Sequence, residues 1–376
     1  MLMKTPRAAQ GTIALDARLV DTAEFDALVA GFDGAVQEMT VAFAQNRWPS
    51  VTLEPWIYSL DGKPVAAVLV MLQSLPLKLA TLAIVKWGPI LADQQATETP
   101  VIHDATIAHL AQEYGGRRGM MVSIMARAEP KPIMHAVESL HLRGFTSGKQ
   151  LPFPERYFVN VRISDAEQRK SFAQKWRYHL SKSEKEGLQF EVAPASDLGR
   201  FGTLYGVMSA RKNFPDYSAF KTLPQLFAQY PEGLKPQLFF VTKDDVDVAG
   251  AVIFTAGKTA IYLYGATSDT ALPLRAGYLM HARIISWLRD NTNADWYDLG
   301  GNDGFSGLHQ FKKGMVGTAG VITPIPPITH YAARRSSWVA GQLAYRLRDA
   351  AIAAKTFAAR QRGTQAKPDM KRGEKG

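Results

Sequence analysis

One order of elements occurs twice along this chain, and that recurrence limits the fold more than any other feature. In the first pass, Trp56–Leu60 and Val65–Leu72 are apolar runs joined by the turn dipeptide Asp61–Gly62, which predicts a hairpin. Leu79–Val85 reads as a third strand, and Pro100–Tyr114 as an amphipathic helix stopped by Gly115–Gly116. A strand over Gly119–Met125 and a helix over Ile133–His141 follow. In the second pass, Gln237–Lys243, Val248–Thr255 and Thr259–Tyr264 are three strands with turns at Asp244–Asp245 and Gly257–Lys258. A helix over Ala276–Asp290 and a strand over Ala294–Leu299 complete it. A strand meander, a helix and a further strand make a mixed α/β module. Two such modules side by side, with a cleft between them, are the expected architecture. The halves show no sequence repeat, so the duplication is one of architecture.

Several connecting elements are equally legible. Asp21–Ala30 is a helix that Asp21 or Thr22 can cap, and Ala35–Asn46 reads as a second one. Arg156–Ile163 is a strand. Ser164–Asp165 can cap one continuous helix over Asp165–Glu186, stopped by Gly187. Leu188–Val192 is a strand, and Asp197–Ser209 and Leu223–Gln229 are helices. Arg334–Ala359 is helical in pattern, with a disordered end expected beyond it.

Composition removes several function classes. The chain of 376 residues has no cysteine, which excludes disulfides, thiolate metal sites and a cysteine nucleophile. Its histidines and carboxylates show no metal-ligand spacing, so no metal is expected. The start has no apolar secretory core, and the longest apolar run, Val65–Leu72, is too short to cross a bilayer. A cytoplasmic protein is the expectation. The net charge is +10, and residues 331–376 hold eleven Lys/Arg against three Asp/Glu. That basic tail suits RNA or the anionic inner face of a membrane, or serves only as a solubilising end.

The chemistry concentrates in Asp295–Gly317. A buried strand over Trp296–Leu299 runs into the Gly300–Gly301 turn, and a polar loop then leads to Phe311–Lys312–Lys313, read as an extended segment. A backbone able to approach a ligand beside a lysine pair suits an anionic or carbonyl-bearing group. Asp298 is either a general base or a buried carboxylate bonding the amides of the glycine turn. His309 reads as a structural loop histidine. On the helix over Asp165–Glu186, Lys175, Tyr178, Lys182 and Lys185 share a face. This basic rail with an aromatic in it fits phosphate, or is a solvated surface.

The succession FAQKWRYHLSKSEKEGL (172–188), YLYGATS (262–268), LRAGYLMHARIISWL (274–288), YDLGG and FKKG resembles the Fem-type aminoacyl transferases, from about Trp87 to about Pro327. The resemblance implies two GNAT-like modules: residues 1–155, completed by 317–332, then 156–316 carrying the site, and 333–376 as the tail. It implies a transferase moving an aminoacyl group from a carrier to an amine of a peptidoglycan precursor. Lys312 or Lys313 would stabilise the oxyanion, with Tyr264 and Asp298 at the strand ends. Lys175, Arg177 and Lys182 become binding candidates for tRNA or a nucleotide-linked substrate, as does Arg211. Single GNAT enzymes bind the coenzyme A pyrophosphate through an Arg/Gln-x-x-Gly-x-Gly/Ala turn. Only Arg275 and Gly277 match it here, which argues for aminoacyl-tRNA and against acyl-CoA as donor. No bound cofactor is expected. An acyl-CoA or acyl-carrier N-acyltransferase of polysaccharide or lipid metabolism is the alternative. A non-catalytic RNA- or membrane-binding protein is a third reading.

Overall fold

The computed structural model describes residues 13–75, 80–132, 136–212 and 219–365, with side chains omitted at 211–212 and 355–365. The basic residues beyond 365 and the start of the helix expected from Ile133 lie outside the described residues.

The first module holds the strands β1 (Asp16–Leu19), β2 (Thr52–Leu60), β3 (Lys63–Ser74), β4 (Thr81–Lys86), β5 (Ile90–Leu91), β6 (Met121–Met125) and β7 (Thr146–Ser147). Its helices are α1 (Thr22–Val29), α2 (Val41–Arg47), α3 (Thr99–Leu110) and α4 (Ala136–Leu142). The second module holds β8 (Glu155–Asn160), β9 (Gln189–Ala193), β10 (Gln237–Lys243), β11 (Val246–Phe254), β12 (Thr259–Thr267), β13 (Trp296–Asp298) and β14 (Val321–Pro324). Its helices are α5 (Asp165–Ser171), α6 (Gln174–Ser183), α7 (Leu198–Lys212), α8 (Leu223–Gln229), α9 (Ala271–Leu274), α10 (Ala276–Asn291) and α11 (Ser306–Val316). The chain then returns as β15 (Thr329–Tyr331) and ends in α12 (Arg335–Gln365).

The two sheets have matching orders. The first runs β1-β2-β3-β4-β6-β15-β7, with β5 pairing β3, and the second runs β9-β10-β11-β12-β13-β8-β14. In each, an antiparallel meander leads through a helix to one parallel pair, β4/β6 or β12/β13. The position next to that last strand is filled by β8 in the second sheet and by β15 in the first. The expected return to the first sheet is therefore made by Thr329–Tyr331, while Val321–Pro324 still pairs with β8.

One face of the second sheet buries Trp176, Leu180, Ile284, Ile285, Met315 and their neighbours under α6, α10 and α11. The other face shares a continuous core with the first module through Phe201, Leu204, Leu226, Tyr230 and Tyr264. Polar contacts fasten the same seam. Thr40 Oγ1 lies 2.7 Å from the Tyr230 hydroxyl, and the Lys258 amide donates to Asp33 O at 2.8 Å. A seam that is both apolar and bonded holds the two modules as one body.

The structure corrects three local expectations. The helix expected over Ala35–Asn46 is a 3-10 turn, Gln37–Met39, followed by α2. Extended Thr40 separates them, and its side chain caps α2 through the Phe43 amide. The single helix expected over Asp165–Glu186 is broken at Phe172–Ala173, where both residues have extended ψ. The break has a tertiary cause: the Ala173 amide donates to Gly314 O, and Ser171 O accepts from the Thr318 amide. At its other end α6 stops at Ser183, so Lys185 lies beyond it. The third correction bears on the site. Phe311–Lys313 belongs to α11 and not to an extended segment. Gly307 and Gly314 disguise that helix in the sequence, but burial of Lys312, Met315 and Val316 along one face overrides their poor propensity.

Candidate active site

The site begins where β12 and β13 part. β4 and β6 pair over five consecutive residues, Leu82↔Met121 to Lys86↔Met125. β12 and β13 pair over only three, from Thr259↔Trp296 to Ile261↔Asp298, while β12 runs on to Thr267. An irregularity opposite β11 leaves Leu263 unpaired just beyond that point. The strands diverge there, and the opening is lined by Tyr262 and Tyr264 on one side and Leu299–Gly301 on the other. It faces the first module and forms a cavity of about 450 Å³, closed across the seam by Gln37, Glu38, Arg47, Trp48 and Lys86.

Lys312 sits at the apex of the opening. Its ammonium donates to Leu299 O and Gly301 O, each at 2.5 Å, and the residue is only 7% exposed. Burial, and secondarily the Arg156 guanidinium, pushes its pKa down to about 8. Beneath it lies His281, whose Nδ1 is 3.1 Å from the Tyr297 hydroxyl. Burial, and then Lys312, holds that imidazole down at about 3, so it is neutral.

Asp298 is fully buried. It accepts from Arg156 Nη2 at 2.6 Å and from the Gly300 amide at 2.8 Å. Its carboxylate thus fixes both the arginine and the glycine turn, which is one of the two roles weighed from the sequence. Tyr264 lines the cavity, and burial raises its phenol pKa. Lys86 also lines the cavity, 5.0 Å from the Trp48 ring, and burial lowers its pKa. His309 is in α11 and not in a loop; its Nδ1 lies 2.6 Å from the Tyr157 hydroxyl.

The remaining sequence candidates fall elsewhere. Lys313, one helical step from Lys312, is exposed and lines a separate groove with Lys175 and Arg177. The Arg177 guanidinium donates to Lys170 O and Phe172 O and so ties the α5–α6 break. Arg275 occupies the left-handed region (φ 55°) before α10 and donates to His179 Nδ1 at 3.1 Å. Lys182 lies 4.7 Å from the Tyr178 ring, and Tyr178 is itself exposed. Lys175, Lys182 and Arg275 all act on His179, whose pKa is lowered first by burial and then by these three cations. They form one basic, aromatic patch on α6 and the start of α10. Trp176, Tyr278 and Phe311 pack ring against ring in tilted and edge-to-face contacts between that patch and Lys312. The Arg211 side chain lies outside the described residues.

Sequence reasoning missed Glu38, Arg47, Lys86, Arg156 and Asp303, all of which line the cavity. Two signals were available. Lys86 ends a strand in Lys-Trp-Gly-Pro, and Arg156 is a charged residue at the start of a strand with an apolar centre. Neither reveals that the first module contributes to a site built mainly by the second. Among the described residues no cluster of His, Asp or Glu could hold a metal ion, and no helix is long and apolar enough to cross a membrane.

Comparison with known proteins agrees with the two-module fold. Residues 168–313 match the family described as acetyltransferase (GNAT) domain. No curated protein matches. Among solved structures, FemX superposes with a TM-score of 0.70 at 16% identity, covering 87% of this chain and 99% of that one. A conserved protein of unknown function from Bacteroides thetaiotaomicron gives 0.56 at 10% identity, covering 85% and 98%. L-PGS from Bacillus licheniformis gives 0.51 at 15% identity, covering 87% and 96%. Residues 168–313 therefore match an acetyltransferase (GNAT) domain, and the chain as a whole has the double GNAT-like fold that superposes on FemX.

Proposed function

We propose that the chain transfers an aminoacyl group from an aminoacyl-tRNA to an amine of a peptidoglycan precursor, with Lys312 as the catalytic cation. The observation that carries this reading is the Lys312 ammonium, buried at the divergence of β12 and β13 and open to a cavity shared by both modules. An aminoacyl ester is already activated, so the protein needs no covalent nucleophile. It must hold the amine beside the carbonyl and stabilise the oxyanion. The new C–N bond forms as the ester C–O bond breaks, and the amine proton ends on the departing ribose oxygen. Lys312 meets the oxyanion with a charge that water does not screen.

The α6 patch supports RNA as carrier. Lys175, Lys182 and Arg275 offer cations for phosphates, and exposed Tyr178 offers a face for a base. Arg47, Lys86 and Arg156 at the cavity support an acceptor that carries phosphate. A cytoplasmic setting, or the inner face of a membrane, would supply both substrates. The second reading, an acyl-CoA N-acyltransferase, draws on the name of the matched domain family and on the Arg275-x-Gly277 start of α10.

The donor separates them. Purified protein would be incubated with a nucleotide-linked muramyl-pentapeptide and either a radiolabelled charged tRNA pool or radiolabelled acetyl-CoA. Label should reach the peptide from tRNA, and the Lys312→Ala variant should lose that transfer. Label arriving only from acetyl-CoA would replace this reading with the second one.

A further inference from the structure

The last helix carries a surface that the transfer reaction does not use. α12 packs on the first module through one face: Trp338 and Tyr345 join Leu82 and Met121 in a small core. Gly341 makes that approach possible, because a Cβ there would lie 2.3 Å from Met121 Cε. The opposite face holds Val339, Leu343 and Leu347, which are 65%, 55% and 62% exposed. At about 100° per residue these three fall within an arc of roughly 80°. Exposed Ala350 and Ala354 continue the strip.

The charges around the strip have one sign. Arg335 and Arg346 border one edge, and both are exposed. Arg348 lies about 100° past the other edge, over the Tyr345 ring on the side nearer the body. The one acidic residue between positions 335 and 354 is Asp349, which faces the body of the protein, where Lys149 and Arg348 bridge it. An aliphatic strip bordered along one edge by arginines, with no acid on the outer side, has the chemistry of a helix that lies in a membrane interface. The apolar side chains enter the acyl boundary while the arginines extend to the headgroups. RNA is a poorer match, since an aliphatic strip gives neither stacking nor phosphate contacts. A second copy is a poorer match too, because the two strips would bring like charges together.

We propose that α12 docks this protein on an anionic lipid surface through Val339, Leu343 and Leu347, lying on the bilayer and not crossing it. The docking is independent of the donor and acceptor assigned above.

The test is co-sedimentation of the full chain with vesicles of phosphatidylcholine alone, or with one-third phosphatidylglycerol, at low and high salt. The wild type should bind the anionic vesicles, bind neutral ones poorly, and weaken as salt rises. The triple variant Val339→Ser, Leu343→Ser, Leu347→Ser keeps every charge and alters only exposed positions, so its melting temperature should match wild type. Its affinity for anionic vesicles should fall at least about tenfold, since three large side chains are no longer withdrawn from water. Undiminished binding by the triple variant would overturn the proposal and leave only the net charge of the tail. So would a wild-type dimer, in the absence of vesicle binding, that the triple variant abolishes. Retention of RNA that depends on the same three side chains would also overturn it.

Discussion

Replacing Lys312 by methionine separates chemistry from stability, because the two should respond to pH in opposite directions. The residue is nearly buried, and its pKa falls from 10.5 to about 8. That drop corresponds to about 3 kcal/mol of preference for the neutral amine in the folded state. Between about pH 8 and 10.5 the unfolded chain binds the proton that the folded chain has released, so this group makes wild-type stability rise with pH across that window. Below pH 8 both states are protonated and the contribution is flat. Lys312→Met should remove the rise. It also removes the donor to Leu299 O and Gly301 O, a loss of about 1–3 kcal/mol, which relief of the buried charge offsets. The net change in unfolding free energy at pH 7 should therefore be small. Activity should behave otherwise. Loss of an oxyanion donor raises the barrier by about 3 kcal/mol, or roughly a hundredfold in rate. In the wild type, turnover should fall above about pH 8 as the ammonium is lost, in the range where stability improves. Urea unfolding and single-turnover rates from pH 6 to 10 would measure both. A rate that keeps rising through pH 9, or a variant as active as wild type, would refute the assignment of Lys312.

Lys313→Ala should leave single-turnover chemistry unchanged, since Lys313 faces the α5–α11 groove and not the cavity; a loss equal to that of Lys312→Met would show that α11 moves during catalysis. Lys182→Ala with Arg275→Ala should raise the KM for tRNA with little effect on kcat, and each lost phosphate contact should lower the salt slope of RNA binding by about 0.7; an unaltered slope would remove the α6 patch from donor binding. Asp298→Asn leaves the Arg156 guanidinium without its charged partner and should cost about 3 kcal/mol in urea unfolding, whereas a loss within about 0.5 kcal/mol would show that Arg156 finds solvent. Gly265→Ala places a Cβ 1.4 Å from the Tyr262 hydroxyl oxygen and should cost about 1–3 kcal/mol while displacing that ring from the cavity wall; an unchanged melting temperature would mean that the ring turns aside freely.

The sheet skeleton was legible because it rests on local signals. Alternating apolar runs and the Asp61–Gly62 and Asp244–Asp245 turns mark the hairpins directly, and the Ser164 cap marks the start of α5. The failures lie where tertiary contacts override local preference. The backbone groups at Ser171 and Ala173 are claimed by the end of α11, which no periodicity in residues 165–186 records. Gly307 and Gly314 make α11 look like a loop until Met315 and Val316 are seen to be buried. An aromatic and two lysines after a glycine turn mark Lys312 and Lys313 together; only the helix shows that they face different sides, Lys312 the cavity and Lys313 the α5–α11 groove. Glu38 and Arg47 were not legible, and the Lys-Trp-Gly-Pro strand end at Lys86 did not place it, since these residues reach the cavity only through the pairing of the two modules.

The most direct measurement is a structure of the protein with a hydrolysis-resistant aminoacyl-RNA, its ester replaced by an amide. The aminoacyl carbonyl oxygen should lie within hydrogen-bond reach of Lys312 Nζ, between β12 and β13, with RNA phosphates against Lys182 and Arg275. An ordered RNA whose carbonyl lies outside the inter-module cavity would contradict it.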